Sequence, residues 1–264
     1  MMTGLIDTHA HLTFNPLSGD VPGVLERGAQ AGVAHVITVG TDVADSCRAV
    51  ELADRHQSVS AVVGIHPHEA AKVATGAYDE LGELLRHPRA VAMGEVGLDY
   101  HYDHSDRRSQ HAVFKAQLEV AQDFDLPLVM HCREAIDDAV AILQERGFDG
   151  RPVVFHCFTG TVDEAKRLAD HGWRVSFTGV VTFRTSEALR AVARDYPADQ
   201  MMLETDAPYL SPEPVRKIRP NEPAHLRHTA EFLARLRGEP LDQLIEQTTR
   251  NAEAFFGIHT SAIG

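Results

Sequence analysis

The sequence predicts an α/β protein folded as one (β/α)8, or TIM, barrel spanning residues 1–264. Three observations carry this: short apolar runs that number eight, longer amphipathic segments between them, and no Pro/Gly/Ser-rich linker or low-complexity tract. The runs are Leu5-Ile6, His35 to Val39, Val59 to Val63, Ala90 to Met93, Pro127 to Met130, Pro152 to Phe155, Arg174 to Phe177 and Met201 to Leu203. Near-continuous Val, Ile, Leu and Met suit strands buried on both faces, as in a parallel sheet covered by helices.

The segments between them read as helices. From Arg107 to Phe124, the side chains of Phe114, Leu118 and Ala121 join Val113, Val120 and Phe124 in one apolar stripe. Leu241, Leu244, Ile245, Thr248, Ala252, Phe255 and Phe256 repeat that pattern, and Gly257 supplies a stop. The alternative is an open, doubly wound sheet. It expects a Gly-rich loop after the first strand, where this chain has Asp7-Thr8-His9-Ala10-His11.

Composition narrows the function. An apolar fraction of 44% permits a sizeable core. A net charge of −13 excludes a broad basic face for duplex nucleic acid, so any anionic substrate must be held locally. Cys47, Cys132 and Cys157 form neither a C-x-x-C pair nor an even disulfide set, which fits a reducing compartment. Met1 to Asp7 carries no leader pattern and no run is apolar enough to span a bilayer, so a soluble cytoplasmic protein without a membrane partner is expected; the sequence does not fix the oligomeric state, for which a monomer is favoured.

The polar clusters fall at strand ends. His9 and His11, two apart in an extended segment, point the same way and can reach one ion. Gly64-Ile65-His66-Pro67-His68 follows the third strand and Gly94-Glu95-Val96-Gly97-Leu98-Asp99-Tyr100 the fourth. The fifth, sixth and eighth end in His131-Cys132-Arg133-Glu134, His156-Cys157-Phe158-Thr159-Gly160 and Glu204-Thr205-Asp206-Ala207-Pro208. In a barrel these ends converge on the face where active sites are built. Histidine and carboxylate are ligands for zinc, manganese or iron, and a carboxylate can bridge two ions about 3.5–4 Å apart. The expected arrangement puts His9, His11 and Asp206 on one ion, His131 and His156 on the other, and Glu95 between them. A single buried histidine is usually a hydrogen-bonded core residue. Six candidates at matching strand ends make that explanation weak.

These stretches, with NEPAHL at Asn221 to Leu226 and NAEAFFG at Asn251 to Gly257, resemble the TatD family of metal-dependent deoxyribonucleases, within the amidohydrolase superfamily of metal-dependent hydrolase barrels. The resemblance spans nearly the whole chain. It implies metal ligands at the same six positions and a site role for His66 against substrate phosphate or bound water. Read from its own neighbourhood, His66 is equally a turn residue before Pro67. Many superfamily relatives bridge their metals with a carboxylated lysine, where the fourth strand here offers Glu95.

The expected cofactors are two divalent ions, Zn, Mg or Mn. The expected reaction is phosphodiester hydrolysis by a metal-activated water, with Asp206 taking its proton. Asp7 and Glu204 are expected to orient imidazoles, Cys132 and Cys157 to pack, and Arg133 with Arg216-Lys217-Ile218-Arg219 to anchor phosphate. The expected partner is DNA, single-stranded or at strand ends, degraded by 3′-to-5′ exonuclease action. The rivals are a D-aminoacyl-tRNA deacylase or small amide or ester hydrolase using the same two ions, and a non-catalytic binding protein.

Overall fold

The computed structural model describes residues 4–102 and 104–260. Met1 to Thr3, part of the segment searched for a leader, lie outside the described residues. Eight parallel strands form one sheet in sequence order: β1 (Leu5–Ala10), β2 (Val33–Val39), β3 (Val59–Val63), β4 (Ala90–Asp99), β5 (Leu128–Arg133), β6 (Val153–Phe155), β7 (Arg174–Phe177) and β8 (Met201–Leu203). A parallel bridge from Ala10 to Ala207 closes the ring, flanked by Asp206 N–H to the His9 carbonyl (2.9 Å) and His11 N–H to the Ala207 carbonyl (2.7 Å). This is the (β/α)8 barrel expected.

Helices α1 (Val21–Gln30), α2 (Val43–Arg55), α3 (Ala77–Leu85), α4 (Arg107–Asp123), α5 (Ile136–Glu145), α6 (Val162–Asp170), α7 (Glu187–Asp195) and α8 (Leu226–Arg237) follow the strands, and α9 (Leu241–Phe256) ends the described fold. Caps set several starts. Asp20, Asp42 and Asp106 each accept a backbone N–H of the first turn, and Thr161 with Glu164 forms a reciprocal capping box. Gly257, at φ 63°, stops α9 as expected.

The core has two layers. Leu5, Val36, Val63, Met93, Leu98, Met130, Phe155 and Val175 point outward against the helices. Ile6, Ile37, Val39, Val62, Val129, Val154 and Met202 point inward and pack with Ala252, Phe255 and Phe256 of α9. This helix is tied to the amino ends of the strands: Thr249 donates to the Gly4 carbonyl (2.8 Å), and Asn251 to those of Ala198 and Met201 (2.7 Å each).

Strands β1, β4 and β5 run longer than their apolar patterns, which stop at Ile6, Met93 and Met130. Of the residues placed after β4, Gly94 to Asp99 are part of it. Their inward positions carry His, Glu and Asp, and these erase the hydrophobic signal while the backbone ladder continues.

Candidate metal centre

Every candidate side chain stands at the carboxyl end of a strand or in the loop that follows. His9, Glu95 and His131 lie within β1, β4 and β5, and His11, His66, His156 and Asp206 just beyond β1, β3, β6 and β8. On β4, Val96 and Leu98 face the helices, so Glu95, Gly97 and Asp99 face the interior. Gly97 is required there: at φ 138°, a Cβ would lie 2.0 Å from the His131 carbonyl oxygen on the neighbouring strand.

All six expected ligands come together, with Glu95 at the centre. Its Oε2 is 3.5 Å from His9 Nε2 and 3.8 Å from His11 Nε2, while Oε1 is 2.7 Å from His156 Nε2 and 2.8 Å from His131 Nδ1. The first set is completed by Asp206, whose Oδ1 is 3.6 Å from His11 Nε2 and 3.9 Å from His9 Nε2. Those two nitrogens are 3.3 Å apart, as are His131 Nδ1 and His156 Nε2. Ligands about 2.0–2.1 Å from a tetrahedral ion stand about 3.3–3.4 Å from one another, a spacing that the first set approaches, whereas His131 and His156 draw to hydrogen-bond distance of Glu95 Oε1.

The outer ring nitrogens show which lone pairs face the centre. His11 Nδ1–H donates to the Val39 carbonyl (3.1 Å) and turns its Nε2 lone pair inward, while His156 faces Glu204 Oε1 (3.3 Å) and Glu95 Oε1 (2.7 Å), and His131 faces Asp99 Oδ2 (2.9 Å) and Glu95 Oε1 (2.8 Å), a carboxylate at each ring nitrogen. Imidazoles and carboxylates packed this closely need protons or metal ions between them. His9 differs, because its buried Nδ1 has no partner. His66 differs in the other sense. Its Nδ1 accepts the His68 backbone N–H (3.0 Å), so Nε2 carries the hydrogen, and this Nε2–H lies 3.3 Å from Glu95 Oε1. His66 is thereby a donor to an anion in the cavity, and a third grouping of His66, His68 and His131 lacks the lone pair it would need.

The electrostatics follow from burial and crowding. Burial opposes the charge of Glu95, but the imidazoles of His66, His156 and His9 outweigh it and hold the carboxyl well below its usual range. Burial also opposes His156⁺, and Glu95 with Glu204 outweighs it, raising this imidazole well above its usual value. Asp206 is held low despite burial by His11 and its neighbours. Burial pushes His66 down to about 4, so it is neutral near pH 7.

Asp206 has φ 53°, and Glu134 and Cys157, in the turns after β5 and β6, have φ 54° and 45°. Backbone strain thus collects where the ligands are presented. Asp206 is held there from both sides. Thr205 donates its N–H and hydroxyl to the two oxygens of Asp7 (2.9 and 2.6 Å), and Asn221 Nδ2 donates to the carbonyls of Thr205 (3.0 Å) and Tyr209 (2.6 Å).

Several secondary expectations change. Asp7 touches no imidazole and ties β1 to the Asp206 loop instead, whereas Glu204 does meet His156. Arg133 lines the cavity above the centre, about 500 Å³ in volume, and the Arg216 to Arg219 run does not. Arg216 stacks on Phe183 at 3.7 Å and Arg219 lines a separate cavity beside Pro16 and Arg27. Burial pushes the Cys132 thiol up to about 12, so it stays protonated and packs. Asp99 was overlooked, although it shares the inward face of β4 with Glu95, a period-two signal that could have found it. Asn221 opens the NEPAHL stretch, but no role was read from it there. No helix among the described residues is long and apolar enough to cross a membrane.

Comparison with known proteins shows the family and the fold. The family described as TatD related DNase matches residues 6–257. An uncharacterized metal-dependent hydrolase of Bacillus subtilis, YabD, is 35% identical over 97% of this chain and 100% of its own. The 3′-5′ ssDNA/RNA exonuclease TatD of Escherichia coli K12 is 36% identical over 96% of this chain and 99% of its own. The crystal structure of YJJV, a TatD homolog from Escherichia coli K12, superposes with a TM-score of 0.93 at 31% identity, covering 98% of this chain and 100% of that one.

Proposed function

The chain belongs to the TatD-related DNase family of metal-dependent hydrolases, and from that footing we propose that it cleaves phosphodiester bonds of single-stranded DNA from the 3′ end, using two divalent ions. The observation that carries the two-ion reading is the division of Glu95, with Oε2 toward His9 and His11 and Oε1 toward His131 and His156. His9, His11, Asp206 and Glu95 would hold one ion, and Glu95, His131 and His156 the other. Bound there, the ions would supply Lewis acidity, polarising phosphoryl oxygens and lowering the pKa of an attacking water.

The chain's own groups supply the rest. Asp206 is a carboxylate at neutral pH and reaches the cavity, so it can take the proton lost by water as oxygen attacks phosphorus and the bond to the departing nucleotide breaks. His66, neutral and with Nε2–H turned inward, donates to a phosphoryl oxygen without adding charge. Arg133 is the cation placed to meet the next phosphate. The test is one panel under one metal: single-stranded DNA, a bis-aryl phosphodiester and a D-aminoacyl-tRNA. Turnover of the two phosphodiesters is expected, and turnover of the aminoacyl ester alone would overturn the proposal.

A further inference from the structure

Four large apolar side chains stand at least half exposed among the described residues: Tyr102, Val162, Tyr209 and Ile218. Scattered exposed apolar residues need no explanation. Here both tyrosines line the cavity over the metal centre. Tyr102 is in the loop after β4 and Tyr209 in the loop after β8, and strands four apart in a ring of eight place them across the mouth from each other.

Both residues are held from behind. The Tyr102 N–H donates to Asp99 Oδ1 (2.9 Å), the Arg133 guanidinium is 6.0 Å from its ring, and the His104 ring lies parallel to it at 5.9 Å. Tyr209 donates its N–H to the Asp206 carbonyl (2.9 Å) and accepts Asn221 Nδ2 at its own carbonyl (2.6 Å). Phe14, stacked on His11 at 4.7 Å, widens the aromatic surface on that side. Charge points the same way. In a chain of net charge −13, Arg133 is the one arginine or lysine among the described residues lining the cavity, so counterion release can contribute little affinity.

Resting on the nuclease reading above, we propose that Tyr102 and Tyr209 are a base-stacking clamp that takes the terminal unpaired bases of a strand and sets its phosphodiester over Glu95 and Asp206. Aromatic stacking accepts any base, because every base has a π-face. A base pair inside a duplex is stacked on both faces and the terminal pair offers its outer face alone, so a duplex end cannot thread between the two rings. The clamp thereby gives single-strand preference without a basic groove.

The experiment compares a labelled thymidine oligonucleotide with the same strand ending in two tetrahydrofuran residues that lack bases. Both are hydrolysed by wild type, Y102A, Y209A, Y102F and Y209F with Mn²⁺. Each alanine variant is expected to raise KM for the base-bearing strand roughly 5- to 100-fold, while the phenylalanine variants stay near wild type. KM for the baseless end should not move in any of them. Between 50 and 200 mM salt, wild-type affinity should change by no more than about threefold, the effect of one phosphate contact. Equal rises on both strands, or none on either, would overturn the clamp. If wild type hydrolyses neither strand, the nuclease reading fails, and fluorescence anisotropy of the same strands then decides stacking alone. A base-dependent affinity lost in both alanine variants supports the clamp, and its absence overturns it.

Discussion

The two ends of the barrel interior use the same strands for opposite purposes. Toward their amino ends, Ile6, Ile37, Val62, Val129, Val154 and Met202 close against Phe255 and Phe256, a dry plug that stabilises the fold. A few residues further along, the inward positions become His9, Glu95 and Asp99, whose burial carries a desolvation cost, and the half-buried His131. Stability is concentrated at one end of a strand and chemistry at the other, so substitutions at the two ends should separate folding from turnover.

The sharpest separation should come from Glu95→Gln. Hydrolysis should fall by about a thousandfold or more, the scale lost with a preorganised charged group. Metal content measured by mass spectrometry should fall with it, and the melting temperature should no longer rise on adding Mn²⁺. A Glu95→Gln protein that kept both metals and turnover would erase the distinction between the ends. The counterpart is Ile37→Ala, which should cost about 2–5 kcal/mol in urea unfolding and leave turnover per bound metal unchanged.

Asp99→Asn should have an intermediate effect, weakening metal binding or activity about 10- to 100-fold by removing the charge that fixes the His131 tautomer. Isothermal titration with Zn²⁺ checks it, and an unchanged affinity would take Asp99 out of the site.

The smallest effect belongs to His35, on β2, buried against Ser60 and pushed down to about 4 by burial and, less, by Arg89. The folded state holds this imidazole neutral while the unfolded chain protonates it near pH 6.5. Its stabilising contribution is therefore full above that pH and declines as pH falls toward 4. Between pH 7.5 and 5.5, wild type should lose about 1 kcal/mol more than His35→Gln. Parallel losses in the two proteins would remove His35 as a source of acid sensitivity.

The barrel was legible because its strands are apolar on both faces, and the gathering of the six candidate residues because each falls at the end of such an apolar run. What stayed hidden was whatever depends on distant partners. Asp7 reads as a neighbour of His9, but the residue it holds is Thr205, 198 positions away. Asn221 sits in a loop with no periodicity, yet it fixes both flanks of Asp206. The Arg216 to Arg219 run shows the reverse error, since a dense local charge signal says nothing about which way the loop carries it.

The seam that closes the barrel joins His9 and His11 of the first strand to Asp206 and Ala207 beyond the last. A chain still emerging from the ribosome with its final quarter untranslated has made every histidine of the centre, but it has no Asp206 and no closed ring. His9 and His11 then stand on a strand paired on one side alone, with β2. A fragment truncated before Asp206 therefore lacks both a candidate ligand and the contacts that close the ring.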